Sequence, residues 1–563
     1  MKNFQTLIVC SLLATALQGT AQTEAAKDYK GTSNGNPISA SVFCADPTAI
    51  DYNGRLYVYG TNDSQQYIVN KKSGSNGYGN IKSIVVFSTD DMVNWTFHGT
   101  IDVGKVCGSW CGQSWAPSAV WRTNDKGKDE FFIYFANGGG SVGVIKSTIS
   151  PVGPFTSPNT QAMIRHGMKG VDPCNWVFDP GAVIDSTGQG WIAFGGGDPQ
   201  NTGSKLWPGN SRIAKLKSSM TAIDGGAVNM PAPYLFEASE LNIIGGRFVY
   251  TYNTSWGDRP GWNTYEKRGS NAAPSACSMC YMVSDTPLDP DSWEYRGEYV
   301  PNEGNFGMGW GNNHTHLHKY QGNYYLFYHS TVLESAMNTG ASGFRSIGVN
   351  KATVNENTQK INKMTLNKSG VTAIKNLDPY QLQQAETMAN SGGVSYEDFT
   401  NITKVTSKNT LGNDASQNMQ IKMKAGAWTM VRLADFGEEG ARSFTVRVRG
   451  TGKMELRWTR TGAAIATVDI DNKAWKEYTI AVDPTVFKGK RNYLYFVFPE
   501  ADSSTYFDWW QFSKDDITGI STVANTQEPK ASCYTYDLSG RRIEKNAQKR
   551  GIYIQNGKKV VVR

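Results

Sequence analysis

Asp46, Ser118, Asp179, Glu237 and His314 each stand eight or nine residues ahead of a glycine, namely Gly54, Gly127, Gly188, Gly246 and Gly322. Each glycine opens a turn into a short aromatic strand: NGRLYVYG, GKDEFFIYFA, TGQGWIAFGG, GGRFVYTYN and QGNYYLFYHS. Three carboxylates, a hydroxyl and an imidazole therefore occupy one recurring position. Two carboxylates across a pocket can activate water on one side and protonate a leaving oxygen on the other, which is the chemistry of glycoside hydrolysis. A third carboxylate nearby raises the acid's pKa by like-charge repulsion and keeps it protonated. Glu237 has the longest reach and reads as the general acid, Asp46 as the general base and Asp179 as the pKa modulator. Asp-Pro is an ordinary turn dipeptide, and Asp172-Pro173 has the dipeptide without the register. The shared offset is what singles out Asp46 and Asp179.

The run His314-Thr315-His316-Leu317-His318 alternates, so a strand would turn all three imidazoles one way. Two readings follow. The three could ligate a transition metal, or His314 lines the pocket while the other two run down a polar channel; the second is favoured. Sugar rings stack on aromatic faces, and Trp115, Phe178, Trp256 and Trp310 lie near the recurring position. Trp115 is the leading candidate for the pocket wall.

The glycines recur 58 to 76 residues apart, and each aromatic strand is followed by another alternating strand. Repeats of this length, built from several short strands, predict propeller blades. The expected fold is all-β: a five-bladed β-propeller over residues 22–375, a jelly-roll-like β-sandwich over 376–515, and a linker with a short β tail over 516–563. The innermost strand of each blade would carry the recurring residue, bringing all five to one end of the axis.

Charged residues make up 19% of the chain, aromatics 12%, and there are 59 glycines, a globular all-β composition. The net charge of +7 is small for 563 residues, which gives no case for nucleic acid. Residues 1–21 read as a secretory signal peptide, so the chain is expected to be secreted, without an integral membrane segment. Cys107 and Cys111 flank a short loop and could pair. Cys277 and Cys280 fall on opposite faces of a strand and should not.

The blade motifs resemble glycoside hydrolase family 43: ADP at 45–47, WAPSAVW at 115–121, FDPGAVID at 178–185, FEAS at 236–239 and NNH at 312–314. The resemblance implies a five-bladed propeller acting on arabinose- and xylose-containing glycans with inversion, and a catalytic trio at Asp46, Asp179 and Glu237. It places Arg345, in FRSIGV, against sugar hydroxyls, and His314 near a water-coordinated calcium. Ser118 stands where many members carry Asp, as in the branch that trims arabinoxylan. Residues 380–514 resemble a family 6 carbohydrate-binding module through QAETM and FDWWQF, which implies a structural calcium at Glu386 and Asp508. Tyr506 stands where that module often has a ligand-touching Asn, so a purely structural role for the domain is an equal expectation.

The expected activity is removal of α-L-arabinofuranosyl side chains from arabinoxylan or arabinan by a monomer, with substrate contacts at Trp115, Ser118, Phe178, His314 and Arg345 and no cofactor for the chemistry. β-Xylosidase activity is the runner-up, and a glycan-binding propeller without catalysis is the alternative from another class. Fructan-cleaving propellers would carry Asn-Asp-Pro-Asn, which Asp46 lacks.

Overall fold

The computed structural model describes residues 24–197, 205–402 and 418–517, together with short strands between 535 and 562. The signal-peptide segment lies outside the described residues. Five sheets follow one another along the chain in up-and-down order. They begin at Ala45–Tyr52, Trp115–Thr123, Gly181–Ile184, Leu235–Ile244 and Thr315–Tyr320. This is the expected five-bladed propeller. Blades two, three and four have four strands, while blade five has three. Its third strand, Ser346–Ala352, instead meets the incoming N-terminal segment: Ile38 N–H donates to the Ile347 carbonyl, and the Asn36 side chain accepts from Val349 N–H. The chain thereby closes the ring with its own beginning, and that edge is not left open.

Aromatic and β-branched residues suit these segments to strands. In Asp129–Ala136 and Asn323–Ser330 nearly every position is buried, because blades pack face to face and both faces of a middle strand are covered. One close approach requires glycine. A Cβ on Gly181 would lie 2.4 Å from the Glu240 Cα, so the first strand of blade three can meet that of blade four only without a side chain there.

The second β domain is one nine-stranded sheet curled on itself, with Phe444, Phe496, Phe507, Trp510 and Phe512 inside. It is not a separate body. Residues up to Asp515 form one compact unit, and Thr387–Met388 adds a fifth strand to blade one by pairing with Thr96 and Trp95. Phe97 of blade one stacks edge-on against Phe399, ring centres 4.9 Å apart. Residues 516–563 form a second unit, in which Gly551–Gln555 and Lys558–Val562 pair as a hairpin. No helix among the described residues is long and apolar enough to cross a membrane.

The six described cysteines are all free thiols, so Cys107 and Cys111 are buried but unbonded. Cys277 and Cys280 do face apart: one lies beside Asn253, the other against the Tyr295 hydroxyl.

Candidate active site

Asp46 and Asp179 sit at the entries of the first strands of blades one and three, both in the left-handed backbone region (φ +49° and +45°). Ala116 and Ala238 hold the same conformation in blades two and four (φ +37° and +60°). Strand register slips at this entry in blades one, two and four, where a bulge re-aims the side chains. Left-handed non-glycine residues are costly, and repeating them at one rim of the ring marks a place where surrounding structure holds strain.

The residues predicted from the repeat converge. His314 Nδ1 lies 3.7 Å from Asp46 Oδ1 and 4.0 Å from Asp179 Oδ2, although the sequence separates them widely. Asp46 is buried and heavily contacted. Its Oδ1 accepts from Arg345 Nη1 at 2.8 Å and its Oδ2 from the Thr61 hydroxyl at 2.7 Å. The Asp46 backbone N–H donates to His329 Nδ1 at 3.1 Å, while His329 Nε2 faces the Asn312 carbonyl at 2.7 Å. Burial alone would raise this carboxyl. The Arg345 guanidinium overcomes it and holds Asp46 well below the usual carboxylate range.

Asp179 and Glu237 behave oppositely. Asp179 accepts from Ala238 N–H at 2.9 Å, but burial and the nearby Asp46 charge push it up to about 7. Glu237 is half-buried, and its nearest donor is Asn253 Nδ2 at a long 3.5 Å. Burial first, then Asp179 and Asp46, push Glu237 well above the ordinary glutamate value. One carboxylate kept ionised and another kept protonated in the same pocket is the division of labour that a base and an acid require. His314 is pushed down to about 4 by burial despite Asp46, so it is a neutral imidazole at neutral pH.

Arg345 is buried to the same degree as Asp46 and His314. It is buried, with Nε and Nη2 on the two oxygens of Asp63, both at 2.9 Å, and Nη1 on Asp46. Its guanidinium also stacks on Tyr78, 5.0 Å from the ring centre. Trp115 borders the same place: it is half-buried and donates its Nε1–H to the Tyr78 carbonyl at 3.2 Å. Phe178 is buried edge-on against Trp176, which in turn packs edge-on against Phe236. Trp256 and Trp310 are exposed.

One expectation needs correction. Ser118 is fully buried, and its hydroxyl accepts from Ala182 N–H at 2.9 Å, tying blade two to blade three. It is spent on that contact and does not face a substrate. Thr48 does the same between blades one and two, accepting from Ala119 N–H. The position in blade two that corresponds to Asp46 is Ala116. The histidine run turns to separate partners, as in the favoured reading. His316 faces Glu240 at 3.0 Å and His318 faces Asp51 at 3.2 Å, so the imidazoles descend the channel on separate partners. Among the described residues no three His, Cys, Asp or Glu side chains come together as a metal cluster. Asp172, the off-register Asp-Pro, lies on the surface beside His166.

In the second domain, the backbone N–H of Ala385 donates to the Asp508 carbonyl, which brings Glu386 next to Asp508. Glu386 Oε1 accepts from Met419 N–H, whereas Oε2 is buried without a partner. Burial pushes this carboxyl well above its ordinary value. Asp508 is ion-paired with Arg447.

Residues 34–357 match the family model of the glycosyl hydrolases family 43. The chain is 34% identical, over 90% of its length and 97% of the relative's, to arabinoxylan arabinofuranohydrolase of Bacillus subtilis (strain 168). It is 31% identical to the enzyme of the same name from Paenibacillus polymyxa, covering 88% of this chain and 76% of that one. The crystal structure of a family 43 arabinoxylan arabinofuranohydrolase from Bacillus subtilis in complex with cellotetraose superposes with a TM-score of 0.76 and 33% identity, over 88% of this chain and 99% of that one. Together with the ring of strands and the converging carboxylates, these matches establish that the chain belongs to glycosyl hydrolases family 43.

Proposed function

We propose that this glycoside hydrolase is a secreted, monomeric, exo-acting α-L-arabinofuranosidase that removes single arabinose side chains from arabinoxylan, with inversion. The observation that carries the reading is the convergence of Asp46 and Asp179 on His314, with Asp46 held by Arg345, in a chain similar along nearly its whole length to an arabinoxylan arabinofuranohydrolase. Asp46, ionised by Arg345, takes a proton from the attacking water. Glu237, protonated and only loosely hydrogen-bonded, gives its proton to the departing glycosidic oxygen. Asp179 keeps Glu237 protonated through like-charge repulsion. His314, neutral between the two aspartates, fits contact with a sugar hydroxyl, and Trp115 fits the pocket wall.

Glu386 Oε2, buried and without a partner, fits one ligand of a structural cation such as calcium, with Asp508 alongside. Such an ion would supply charge compensation in the second domain and no step of the chemistry. The propeller reaction needs only the side chains described.

Product analysis on arabinoxylan, arabinan and xylo-oligosaccharides tests the reading. Arabinose as the sole early product supports it; xylose released from xylo-oligosaccharides would replace it with the β-xylosidase reading. Proton NMR of the first-formed anomer tests inversion, since a retained configuration would exclude Asp46 as a base acting on water.

A further inference from the structure

The N-terminal segment that closes the propeller ring first crosses the second domain, and there it buries a lysine. Lys30 is 5% exposed, and its Nζ donates to the Ala389 carbonyl at 2.7 Å. Ala389 N–H in turn donates to the Met430 carbonyl. Arg432 stands two residues beyond Met430 on the strand Trp428–Asp435, so the two side chains leave the same face. Val431 between them belongs to the domain core, which puts Met430 and Arg432 on the side that Ala25 and Ala26 cover.

Two cations thus lie together under one stretch of chain. Among the described residues the Arg432 side chain finds no acceptor, and both Nε and Nη1 are buried without a partner. Other arginines with an unpartnered Nε are held in another way. Arg296 pairs with Glu294, Arg449 stacks on Tyr506 and Trp475, and Arg491 stacks on Trp458 while donating to the Val486 carbonyl. Arg432 has none of these supports, and it faces a second buried cation. Lys30 makes one of the three hydrogen bonds that an ammonium can donate. One carboxylate acts on Lys30, that of Asp28, but its oxygens accept from Gly31 N–H, the Asn390 amide and the Thr32 hydroxyl. Two cations and one carboxylate leave a residual positive charge. Burial first, then the Arg432 charge, push Lys30 down to about 7, as befits a buried cation short of a counter-charge.

From this arrangement we infer that a small inorganic anion, chloride or a similar halide, binds between Lys30 and Arg432. It would take the orphaned Nε and Nη1 of Arg432 and a free N–H of the Lys30 ammonium, each in a charge-assisted hydrogen bond. It would also cancel the residual charge. A monatomic ion accepts from any direction, and so suits donors that come from a strand and from the segment covering it. The effect is to fasten that segment: Asn36, six residues on, carries the bond to Val349 that closes blade five. The site adds no step to the hydrolysis.

Thermal unfolding of the full chain at pH 6 tests this, at constant sodium concentration, with chloride replaced stepwise by the bulky anion gluconate. Tm should rise with chloride and saturate, by about 3 °C at a hundredfold excess over Kd. Arg432→Gln and Lys30→Met should each lose that rise, whatever their Tm in gluconate. Arg491→Gln removes another half-buried arginine from the same sheet and should keep it. A Tm independent of chloride in the parent overturns the inference. So does a rise that survives in Arg432→Gln, or one that Arg491→Gln loses equally, since these report bulk salt or net charge. If neither Arg432→Gln nor Lys30→Met folds, crystals of the parent soaked in bromide decide. An anomalous peak between the two side chains upholds the site, and its absence overturns it.

Discussion

Arg345→Met should move the acid limb of the pH–rate profile upward. Arg345 Nη1 sits 2.8 Å from Asp46 Oδ1, which puts the two charge centres about 4 Å apart and their attraction near 4 kcal/mol at an effective dielectric of 20. At about 1.4 kcal/mol per unit, that is up to ~3 pKa units on Asp46. Relaxation and entering water will reduce the effect, so a rise of about one to three units is expected. The sign follows from the role: the base must be ionised, and removing its cation makes ionisation harder. kcat/KM therefore falls at low pH and recovers as pH rises. The substitution also strands Asp63, which takes two hydrogen bonds from the Arg345 side chain and would be left buried and charged. Arg345→Met should therefore be compared with Arg345→Met/Asp63→Asn, which removes that cost. kcat/KM on an aryl α-L-arabinofuranoside from pH 3 to 9, with circular dichroism to confirm folding, gives the readout. A folded double variant whose kcat/KM holds up at the acid end of this range as well as the parent's would refute Asp46 as the base tuned by Arg345.

Glu237→Gln should cost about 10²–10⁴ in kcat/KM on arabinoxylan, and less on aryl substrates whose leaving group needs no proton; equal losses on both would count against the acid role. Asp179→Asn removes the charge that keeps Glu237 protonated, so the basic limb should move to lower pH, and a stationary limb would exclude the repulsion mechanism. The same variant bears on stability. A carboxyl raised from 3.8 to about 7 on folding destabilises the native state progressively as pH rises through that window. Asp179→Asn should thus raise Tm at pH 8 by a few degrees, about 1 °C per kcal/mol for a unit of this size, and give no gain at pH 3.5. Chelation should lower Tm by a few degrees if a cation is bound at Glu386, through the linkage between ion binding and folding; Glu386→Gln should abolish that response and leave kcat unchanged.

The repeat was legible because each blade begins the same way, yet counting back from the glycine mixes two lengths. The hairpin after the first strand has two loop residues in blade one, where Tyr52 pairs Arg55, and five in blade two, where Thr123 pairs Asp129. In blade three a five-residue loop also intervenes, but the first strand is shorter, so the count still lands on Asp179. Blade two has the long loop and a long strand, and the count stops two residues short of Ala116, at Ser118. The bulges that turn Asp46 and Glu237 inward leave no mark in a pattern of apolar and polar residues. Arg345 was reached by resemblance alone, and Asp63 was missed. A local signal for Asp63 existed: Thr61-Asn62-Asp63 is a polar triplet at the end of a buried aromatic strand, where Asn62 caps the helix Asp63–Val69 by accepting from Gln65 N–H. Polar residues without exposure at such a place need partners, and here these are Asp46 for Thr61 and Arg345 for Asp63.

The same triplet explains why the second domain cannot be read as an appendage. Asn62 donates its side-chain N–H to the Tyr396 hydroxyl at 3.0 Å, and Lys72, just after that helix, pairs with Glu397. Both partners come from the curled-sheet domain, beyond the residues matched by the family model. The helix they brace presents Asp63 to Arg345, and Arg345 sets the ionisation of Asp46. Trp95 and Phe97 of blade one lie in one continuous core with Phe399 and Met419 of the second domain. The N-terminal segment crosses both: Lys30 is bonded to the Ala389 carbonyl, and Asn36 to Val349 of blade five. Packing of this kind transmits position, because a close-packed core yields little to strain. The candidate base is thus oriented by a chain of contacts that starts in the sandwich, so the propeller's chemistry and the second domain's docking belong to one folded unit.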